Sequence, residues 1–308
     1  MKTIEAKRHM TDEECAEYAG KLLNDGAYDL VVREDTLVLD ENGDLLVRYI
    51  PGAIPARLIR QGYQALNDAA GMTDNRGIAA GINEDMSAKT GKKVAKWKAV
   101  KKDGTLSNTN RAESVMSGIV GYFDRSPRMP YCRQTSYTVK HQEKYQAAIP
   151  MIEHISGLFQ EHVPDLHSNQ AQVTQDTSKD FVIGDSVFTT VTVNANWQTA
   201  VHKDVGDYKQ GCGVMTAMEA GKYEGGYTCF PEYRLAVDMR TQGVLFANVH
   251  RWHGNTPLVG HPGQYRRLAL VLYYREKMRH CGTAAEEVDR AKNRSHNNPM
   301  GGTGTSLV

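Results

Sequence analysis

A histidine and an aspartate stand two positions apart at the end of a run rich in β-branched residues. The run reads TVTVNANWQTAVHKD and ends in His202, Lys203 and Asp204. Successive side chains on a strand point to opposite faces, so an extended segment from 197 to 204 directs His202 and Asp204 to one point. A converging imidazole and carboxylate are two of the three ligands of the 2-His-1-carboxylate site, which binds Fe(II) and leaves positions open. The pattern therefore predicts a metal site that requires a third, distant histidine.

Two histidines in the segment GVLFANVHRWHG, His250 and His253, are the candidates for the third ligand. Strict alternation along a strand places them on opposite faces, so only one of them reaches the metal unless the strand contains a bulge. We favour His253, because the alternating positions that precede it are mostly apolar and face inward. His250 stays open as the alternative.

An arginine in the segment YRRLALVLYYR is predicted to bind a cosubstrate of the iron. Such a site requires an electron donor, and the far carboxylate of 2-oxoglutarate suits the planar fork of an arginine, which makes two parallel charge-assisted hydrogen bonds. Alternation places Arg267 on one strand face with Ala269 and Val271, and Arg266 on the other. Arg267 is therefore the predicted cosubstrate residue, with Arg266 as the alternative if the strand has the opposite phase.

The composition limits the class of protein. The 308 residues are 40% hydrophobic, enough for a substantial core, and 37 basic residues against 36 acidic ones leave any affinity for a polyanion to a local patch. No signal peptide and no membrane-spanning run is evident, so we expect a soluble protein. Five scattered cysteines without a CxxC argue against a disulfide framework or a zinc site and favour a reducing cytoplasm.

Periodicity predicts the elements that must position these residues. We expect helices over 11–26, which begins with the capping box Thr11 and Glu14, over 55–70, around 145–159 and over 284–291. Pro150 is expected to kink the third of these or to start a second helix. An Asn-Gly at 42–43 predicts a hairpin, and 118–138 is expected to be loop-rich and partly extended. Short β runs from Phe181 onward favour a sandwich or barrel.

Several motifs together resemble a known family. HKD at 202–204, HGNTP at 253–257 and RLAL at 267–270, in this order, resemble the Fe(II)- and 2-oxoglutarate-dependent dioxygenases, whose fold is a double-stranded β-helix. The longer segments TVTVNANWQTAVHKDVGDY, NRGIAAG, SGIVGYFDR and PYCRQTSYT resemble the TET/JBP branch, which hydroxylates the 5-methyl group of pyrimidines in nucleic acid. The resemblance covers about residues 70–275.

The resemblance implies an α+β fold with a jelly-roll core and flanking helices in a single domain over 1–308. Within it, 1–70 is expected to form an N-terminal helix and hairpin region, 71–180 a substrate-side insert with helices, and 181–280 the iron-binding core, and 295–308 a flexible tail. We expect a monomer.

The resemblance also implies a function and its residues. It implies hydroxylation of 5-methylcytosine or thymine in DNA, on a single-stranded or flipped base, with Fe(II), 2-oxoglutarate and O2. His202, Asp204 and His253 become the metal ligands and Arg267 the cosubstrate residue. Asp207 matches a position that contacts the target base, and Asn75 and Arg76 are expected to line the same pocket. Asp207 also fits an ordinary turn beside Gly206, and DNRG fits an ordinary turn.

The chain departs from the family pattern in places. Ala269 stands where the cosubstrate element usually has a hydroxyl, and Trp197 and Gln198 stand where relatives often have a basic residue. The cysteine-rich zinc-binding additions of animal enzymes are absent, which is typical of a compact microbial or phage-type member acting in a microbial or phage-infected cell.

A lysine-rich segment, residues 89–102, surrounds Trp97 and is expected to contact DNA phosphates, with the indole as a wedge or stacking surface. A solvated edge strand is the alternative, because lysine also blocks unwanted strand pairing. Two other functions stay open: a 2-oxoglutarate oxygenase acting on a protein side chain or small metabolite, and an inactive module that binds modified DNA.

Overall fold

The structure, a computed structural model, describes residues 1–81, 98–100, 106–110 and 113–293. The helices within these residues are α1 Asp12–Ala16, α2 Ala56–Leu66, α3 Ser136–Lys140, α4 Gln142–His162, α5 Pro164–Gln175 and α6 Ala284–Lys292. The strands are β1 Lys2–Glu5, β2 Leu30–Val32, β3 Thr36–Leu39, β4 Leu45–Ile50, β5 Gly71–Thr73, β6 Lys98–Val100, β7 Leu106–Asn110, β8 Val115–Phe123, β9 Arg133–Gln134, β10 Thr190–Ala195, β11 Gly213–Gly221, β12 Glu224–Gly225, β13 Thr228–Phe230, β14 Leu235–Val237, β15 Val244–Ala247, β16 Gly254–Asn255, β17 Leu258–Val259 and β18 Tyr265–Tyr273.

The larger of the two main sheets is built around the apolar strand β18. Its strand order is β1-β3-β4-β15-β11-β18-β10-β8-β5, and β9 pairs with β8. Strand β18 pairs antiparallel with β10 and β11, so that Ala269 lies opposite Asn194 on one side and Ala217 on the other. Neighbours on both sides satisfy the backbone of β18, which fixes the direction of every side chain on it.

A smaller sheet faces the large one. Its order is β16-β13-β14-β2. Phe230 and Val237 from this sheet pack in one buried cluster with Val47, Met215 and Leu245 from the large sheet. The two sheets therefore form a sandwich with an apolar interior between them. The short strands β12 and β17 form a separate antiparallel pair, as do β6 and β7.

Helices cover the outer face of the large sheet. Leu58 of α2 and Ile152 of α4 share a buried cluster with Leu268, Leu270 and Leu272, three of the even-numbered residues of β18. The odd-numbered positions of the same strand consequently face the smaller sheet. A two-sheet core with helices on one side is the jelly-roll arrangement that the sequence predicted.

Several predicted elements are confirmed with shifted ends. The β3–β4 hairpin turns at the predicted Asn-Gly, and Gly43 has a φ of +81°. The capping box at Thr11 and Glu14 is present, but the helix ends at Ala16 instead of continuing to Gly26. Pro150 neither breaks α4 nor starts a new helix, because α4 continues through it from Gln142 to His162.

One expectation about local structure is confirmed in outline and another is wrong. The region 118–138, expected to be loop-rich and partly extended, begins in the nine-residue strand β8, which pairs with both β10 and β5, and continues through an irregular stretch to β9 and the start of α3. The segment WQTAVH, expected to be a strand, is irregular, since β10 ends at Ala195. In both places the pairing partner decides the outcome, and a single sequence does not reveal that partner.

The cysteine expectation is also wrong in one respect. Cys132 and Cys281, separated by 149 positions, form a disulfide, while Cys15, Cys212 and Cys229 are free and buried. The carboxylate of the buried Glu287 accepts hydrogen bonds from the backbone of Cys132, at 2.7 Å, and of Gly282, at 2.9 Å. Sequence spacing does not reveal that α6 brings these segments together.

Candidate active site

Two irregular segments bring His202 and His253 side by side. The backbone N–H of each residue donates to the carbonyl of the other, and both N···O distances are 2.9 Å. Two residues further on, the N–H of Asp204 donates to the carbonyl of Val249 at 3.0 Å. These bonds form an isolated bridge beyond the end of β10 and not the strand predicted over 197–204. The side chains of His202 and Asp204 still converge, because backbone hydrogen bonds fix the chain at both residues.

The side chains of His202, Asp204 and His253 form a compact cluster. Nε2 of His202 lies 3.4 Å from Oδ1 of Asp204, and Nε2 of His253 lies 3.7 Å from Oδ2. One ligand atom from each residue lies within 4.8 Å of the others. Of the residues that the structure describes, these form the one group of three or more such side chains able to hold a metal ion.

Backbone carbonyls orient both imidazoles. Nδ1 of His202 lies 2.8 Å from the carbonyl of Ala200, and Nδ1 of His253 lies 3.0 Å from that of Arg251. A carbonyl only accepts, so each Nδ1 carries a proton, and each Nε2 is directed into the cluster, where its lone pair is the one that a metal ion would use. This is the outer arrangement that metal-binding histidines commonly use to fix the tautomer.

Burial and mutual contact set the charges of the cluster. Burial lowers the pKa of His253 to about 4, and the neighbouring His202 adds to that effect. Burial opposes the ionisation of Asp204, but the hydrogen bond and charge of His202 outweigh it and lower the pKa of Asp204. Two imidazole nitrogens and one ionised carboxylate, held on one side of a cavity, are a donor set that fits Fe(II) with positions left open.

His250 does not join this cluster. Its Nδ1 lies 3.1 Å from the carbonyl of Asp204, and its Nε2 lies 3.4 Å from that of Tyr208. The structure thus brings together the predicted trio with His253, although the reason given for His253 is incorrect. Strand β15 ends at Ala247, so alternation does not continue to 253, and a turn reorients the chain.

Arg267 lies in the same cavity, which has a volume of about 430 Å³ and is also lined by His202, Asp204 and His253. The arginine is 2% exposed, and its Nε and one of its terminal nitrogens have no hydrogen-bond partner. Burial lowers its pKa to about 10, so it stays charged at neutral pH. Buried unpaired donors are rare in proteins and indicate a site for a ligand with two acceptor oxygens.

Alternation along β18 is confirmed. Arg266 points away from the cavity and donates to the carbonyl of Asn67. From this part of the chain the cavity is lined by the alternate residues Arg267, Ala269, Val271, Tyr273 and Arg275, and at one point by Leu270 between them. The sequence prediction stopped at Val271 and missed Tyr273 and Arg275, although the same period of two was sufficient to include them.

The three predicted substrate residues also line this cavity. Asp207 is 9% exposed and its Oδ2 has no hydrogen-bond partner. Burial, together with the charge of Asp204, raises the pKa of Asp207 well above its usual range. Arg76 has a buried Nε without a hydrogen-bond partner, and Asn75 beside it is exposed. A carboxyl group that keeps its proton both donates and accepts a hydrogen bond.

Trp197 and Gln198, which stand where relatives often have a basic residue, lie in different surroundings. Trp197 lines the cavity, and its Nε1 is buried without a hydrogen-bond partner. Gln198 instead donates to the carbonyls of Leu23, at 2.8 Å, and Asn255, at 3.0 Å. The lysine-rich segment 89–102 with Trp97 and the tail 295–308 lie outside the described residues, apart from the backbone of β6.

A second set of contacts holds the two histidine-bearing segments from outside. The carboxylate of Asp12 in α1 accepts from Nε1 of Trp252 at 3.0 Å and pairs with Lys203, whose ammonium lies 4.9 Å from the centre of the Trp252 ring. The buried Glu232 accepts from the backbone N–H of Trp252 at 3.2 Å. Residues next to both His202 and His253 are therefore anchored to the N-terminal region and to the 3-10 turn that follows β13.

A sandwich of this kind with such a cluster defines the class of 2-oxoglutarate and Fe(II) oxygenases. The chain matches the Tet_JBP family model, described as the oxygenase domain of the 2OGFeDO superfamily, over residues 118–276. The match covers more than half of the chain, and the chain belongs to this family. Fe(II) and 2-oxoglutarate are accordingly its cofactor and cosubstrate.

Individual relatives agree with this assignment. The chain is 31% identical over 229 residues to "Thymine dioxygenase JBP1-B" of Trypanosoma cruzi, covering 71% of this chain and 27% of the relative. It is 34% identical over 163 residues to "Thymine dioxygenase JBP1" of Trypanosoma brucei brucei, covering 52% of this chain and 19% of the relative. The chain therefore spans at most about a quarter of the length of these relatives.

A solved structure shares the fold. NgTET1, in a complex with 5mC DNA, superposes with a TM-score of 0.54 at 14% identity, covering 92% of this chain and 99% of that one. At this identity the likeness supports the jelly-roll fold and nothing finer. Within the described residues, no helix has both the length and the apolar character needed to cross a bilayer.

Proposed function

We propose that the chain is an Fe(II)- and 2-oxoglutarate-dependent dioxygenase that hydroxylates the 5-methyl group of a pyrimidine, 5-methylcytosine or thymine, in DNA. The observation that carries the proposal is one cavity in which the cluster of His202, Asp204 and His253 shares its walls with Arg267 and Asp207, both of which are buried and have polar atoms without a hydrogen-bond partner. Similarity to relatives named thymine dioxygenases supports the choice of substrate.

His202, Asp204 and His253 are the proposed metal ligands. When bound, Fe(II) and 2-oxoglutarate allow dioxygen to convert a methyl C–H bond into C–OH, with release of succinate and carbon dioxide. The low pKa of His253, about 4, leaves its Nε2 lone pair available at neutral pH. Because the carbonyls of Ala200 and Arg251 hold the two imidazoles, the ligand set requires little reorganisation on metal binding.

Arg267 is the proposed partner of the far carboxylate of 2-oxoglutarate. Its guanidinium is unpaired at Nε and one terminal nitrogen, and it is almost fully buried. A bidentate hydrogen bond to a carboxylate satisfies both donors and neutralises the charge. With Ala269 at the neighbouring position on the same face, the hydroxyl contact common in the family is absent at that point.

Asp207 is the proposed contact to the target base, and Asn75 and Arg76 are proposed to line the same substrate pocket. When its carboxyl group is protonated, Asp207 can pair with the Watson–Crick edge of either cytosine or thymine, because it then offers one donor and one acceptor. This residue therefore does not select between the two bases. A base must leave the stack to reach a buried metal, which requires single-stranded DNA or a flipped nucleotide. The segment 89–102 remains the proposed phosphate contact.

We further propose that residues 1–308 act as one dioxygenase domain and as a monomer, in the cytoplasm of a microbial or phage-infected cell where its DNA substrate lies. The support is that β1, β3 and β4 from the first 70 residues belong to the large sheet, and β2 belongs to the small one. One chain also supplies every side chain of the proposed site.

Mass spectrometry of nucleosides tests the proposal. The protein is incubated with Fe(II), ascorbate and 2-oxoglutarate on single-stranded oligonucleotides that contain 5-methylcytosine, thymine or neither. We expect a hydroxymethylated pyrimidine and stoichiometric succinate from at least one of the first two. If succinate forms without any modified base, the substrate is not DNA. If neither succinate nor a modified base forms, the chain is an inactive binding module. The Asp204→Ala variant serves as the control for oxidation by free iron.

A further inference from the structure

A second cavity lies on the other side of the wall formed by Asn75 and Arg76. It has a volume of about 480 Å³, and both residues line it as well as the iron-side cavity. A second contact closes the same wall, because the hydroxyl of Ser117, which lines the second cavity, donates to Oδ1 of Asn194, which lines the first, at 2.5 Å. The two cavities are thus direct neighbours.

The lining of the second cavity suits a nucleobase with its sugar. The rings of Phe123, Tyr137 and His141 provide flat apolar surface, and the Tyr137 and His141 rings lie 4.7 Å apart. Lys140 adds a cation, and none of the described residues that line the cavity carries a carboxylate. Stacking on aromatic rings beside a cationic group is how proteins bind single-stranded nucleic acid with little regard to sequence.

Arg76, on the shared wall, has no acidic partner among the described residues. Among the described residues no carboxylate lies within ion-pair distance of it, and its buried Nε has no hydrogen-bond partner. Arg275, which lines the iron-side cavity nearby, differs in this respect, since its Nε donates to Asp124 at 2.7 Å. An unpaired guanidinium between two base-sized cavities suits an anion located between the two occupants.

We propose that the second cavity binds the nucleotide adjacent to the target nucleotide, with Arg76 on the phosphate that joins the two. This rests on the proposed function, and it makes the unit of recognition a dinucleotide. Adjacent nucleotides of one strand are joined by a single phosphate, which has to cross the wall when the two bases occupy the two cavities. The site then favours a strand over a free nucleotide, and the second cavity sets any preference for the neighbouring base.

A series of small substrates tests the proposal on the enzyme loaded with Fe(II) and 2-oxoglutarate. The series contains the 5-methylpyrimidine mononucleotide, dinucleotides with the neighbour on the 5′ or the 3′ side, and the same dinucleotides with a neutral methylphosphonate linkage. We expect one of the two dinucleotides to exceed the mononucleotide in kcat/KM. We also expect its neutral analogue to lose about tenfold, as a hydrogen bond to a charged group is lost.

Two variants separate the roles. Arg76→Ala is expected to abolish the difference between the charged and the neutral linkage, whereas Arg60→Ala, at an exposed arginine of α2, keeps it. Ser136→Trp fills the second cavity from its exposed rim and is expected to slow the dinucleotide but not the mononucleotide. Ser168→Trp, at an exposed site on α5, is the matched control. Binding of a labelled oligonucleotide to Co(II)-loaded protein gives a second measure if mononucleotide turnover is slow.

The outcomes discriminate between the two proposals. If Arg76→Ala keeps the full preference for the charged linkage, or Ser136→Trp weakens both substrates equally, the dinucleotide site is wrong while DNA hydroxylation stands. If no 5-methylpyrimidine substrate of any length is hydroxylated or bound, the proposed function fails and the dinucleotide site fails with it.

Discussion

The two faces of strand β18 have opposite characters. On the face under the helices, Leu268, Leu270 and Leu272 are fully buried in an apolar cluster. On the other face, Arg267 is equally buried, yet its guanidinium has donors without partners. The side chains on one face of the strand are thus fully packed by the protein alone. On the other face, the donors of Arg267 lack a hydrogen-bond partner within the protein.

This difference shows how the fold tolerates an incompletely satisfied site. Burying an unpaired guanidinium costs free energy, and apolar burial on the opposite face of the same sheet offsets that cost. The site face is therefore where substitutions should change ligand binding with little loss of stability, and the helix face is where they should do the reverse.

The largest effect is expected at the metal ligands. His202→Ala or Asp204→Ala should abolish turnover and metal binding, because removing one of three ligands leaves too few donors. The fold should survive, with little change in the denaturant midpoint of the metal-free protein. Co(II) titration followed by absorbance measures the binding.

A paired substitution tests the third ligand. His253→Ala should lose the metal, whereas His250→Ala should keep it, because the nitrogens of His250 lie against the carbonyls of Asp204 and Tyr208. Metal retained by the His253 variant and lost by the His250 variant would reverse the assignment.

The next effect is expected at Arg267. Arg267→Ala should raise the 2-oxoglutarate concentration needed for half-maximal turnover by about a hundredfold, since a hydrogen-bonded charge pair in a buried site is lost. Metal affinity without 2-oxoglutarate should change little, because Arg267 is not a ligand. Arg266→Ala is the matched control, as its side chain donates to the carbonyl of Asn67 outside the cavity. An equal rise in both variants contradicts the assigned phase of the strand.

The sequence predicted the site more accurately than the path of the chain to it. Period-two alternation identified the face of β18 with Arg267 because this strand is paired on both sides and regular throughout. The same rule failed for His202 and His253, where the chain leaves the sheet after Ala195 and after Ala247. Those histidines meet through two backbone bonds between segments that are about fifty residues apart, and no local pattern predicts such bonds.

Other features depended on contacts that a single sequence does not reveal. The disulfide joins Cys132 to Cys281 over 149 positions, and the second cavity combines residues of β8 and α3 with Arg76. In each case the residues are ordinary in their own segments, and their relation arises only when sheet pairing brings the segments together. Resemblance to a family reached some of these residues, such as Arg76, but not the cavity behind them.

A substitution on the face of β18 that packs against the helices should affect stability and leave metal binding unchanged. Leu272→Ala should lower the free energy of unfolding by about 2–5 kcal/mol, because the side chain is fully buried and a cavity remains. The folded variant should bind Co(II) with unchanged affinity, because Leu272 faces away from the ligands. Denaturant unfolding and Co(II) titration on the same preparation check both statements. A variant that loses metal affinity while it stays folded would show that the two faces are not independent.

The smallest effect is expected outside the cavity, at Asp12. Its carboxylate holds Lys203 and Trp252, the neighbours of His202 and His253, but about half of its side chain is exposed to solvent. Exposed ion pairs contribute little and are screened by salt, so Asp12→Ala should weaken Co(II) binding by a factor of about two to five at low ionic strength and less in high salt. Glu13→Ala removes a neighbouring exposed negative charge and is the control for a purely long-range electrostatic effect on the metal site. Equal losses in both variants would mean that Asp12 acts through its charge alone and does not position the histidine-bearing segments.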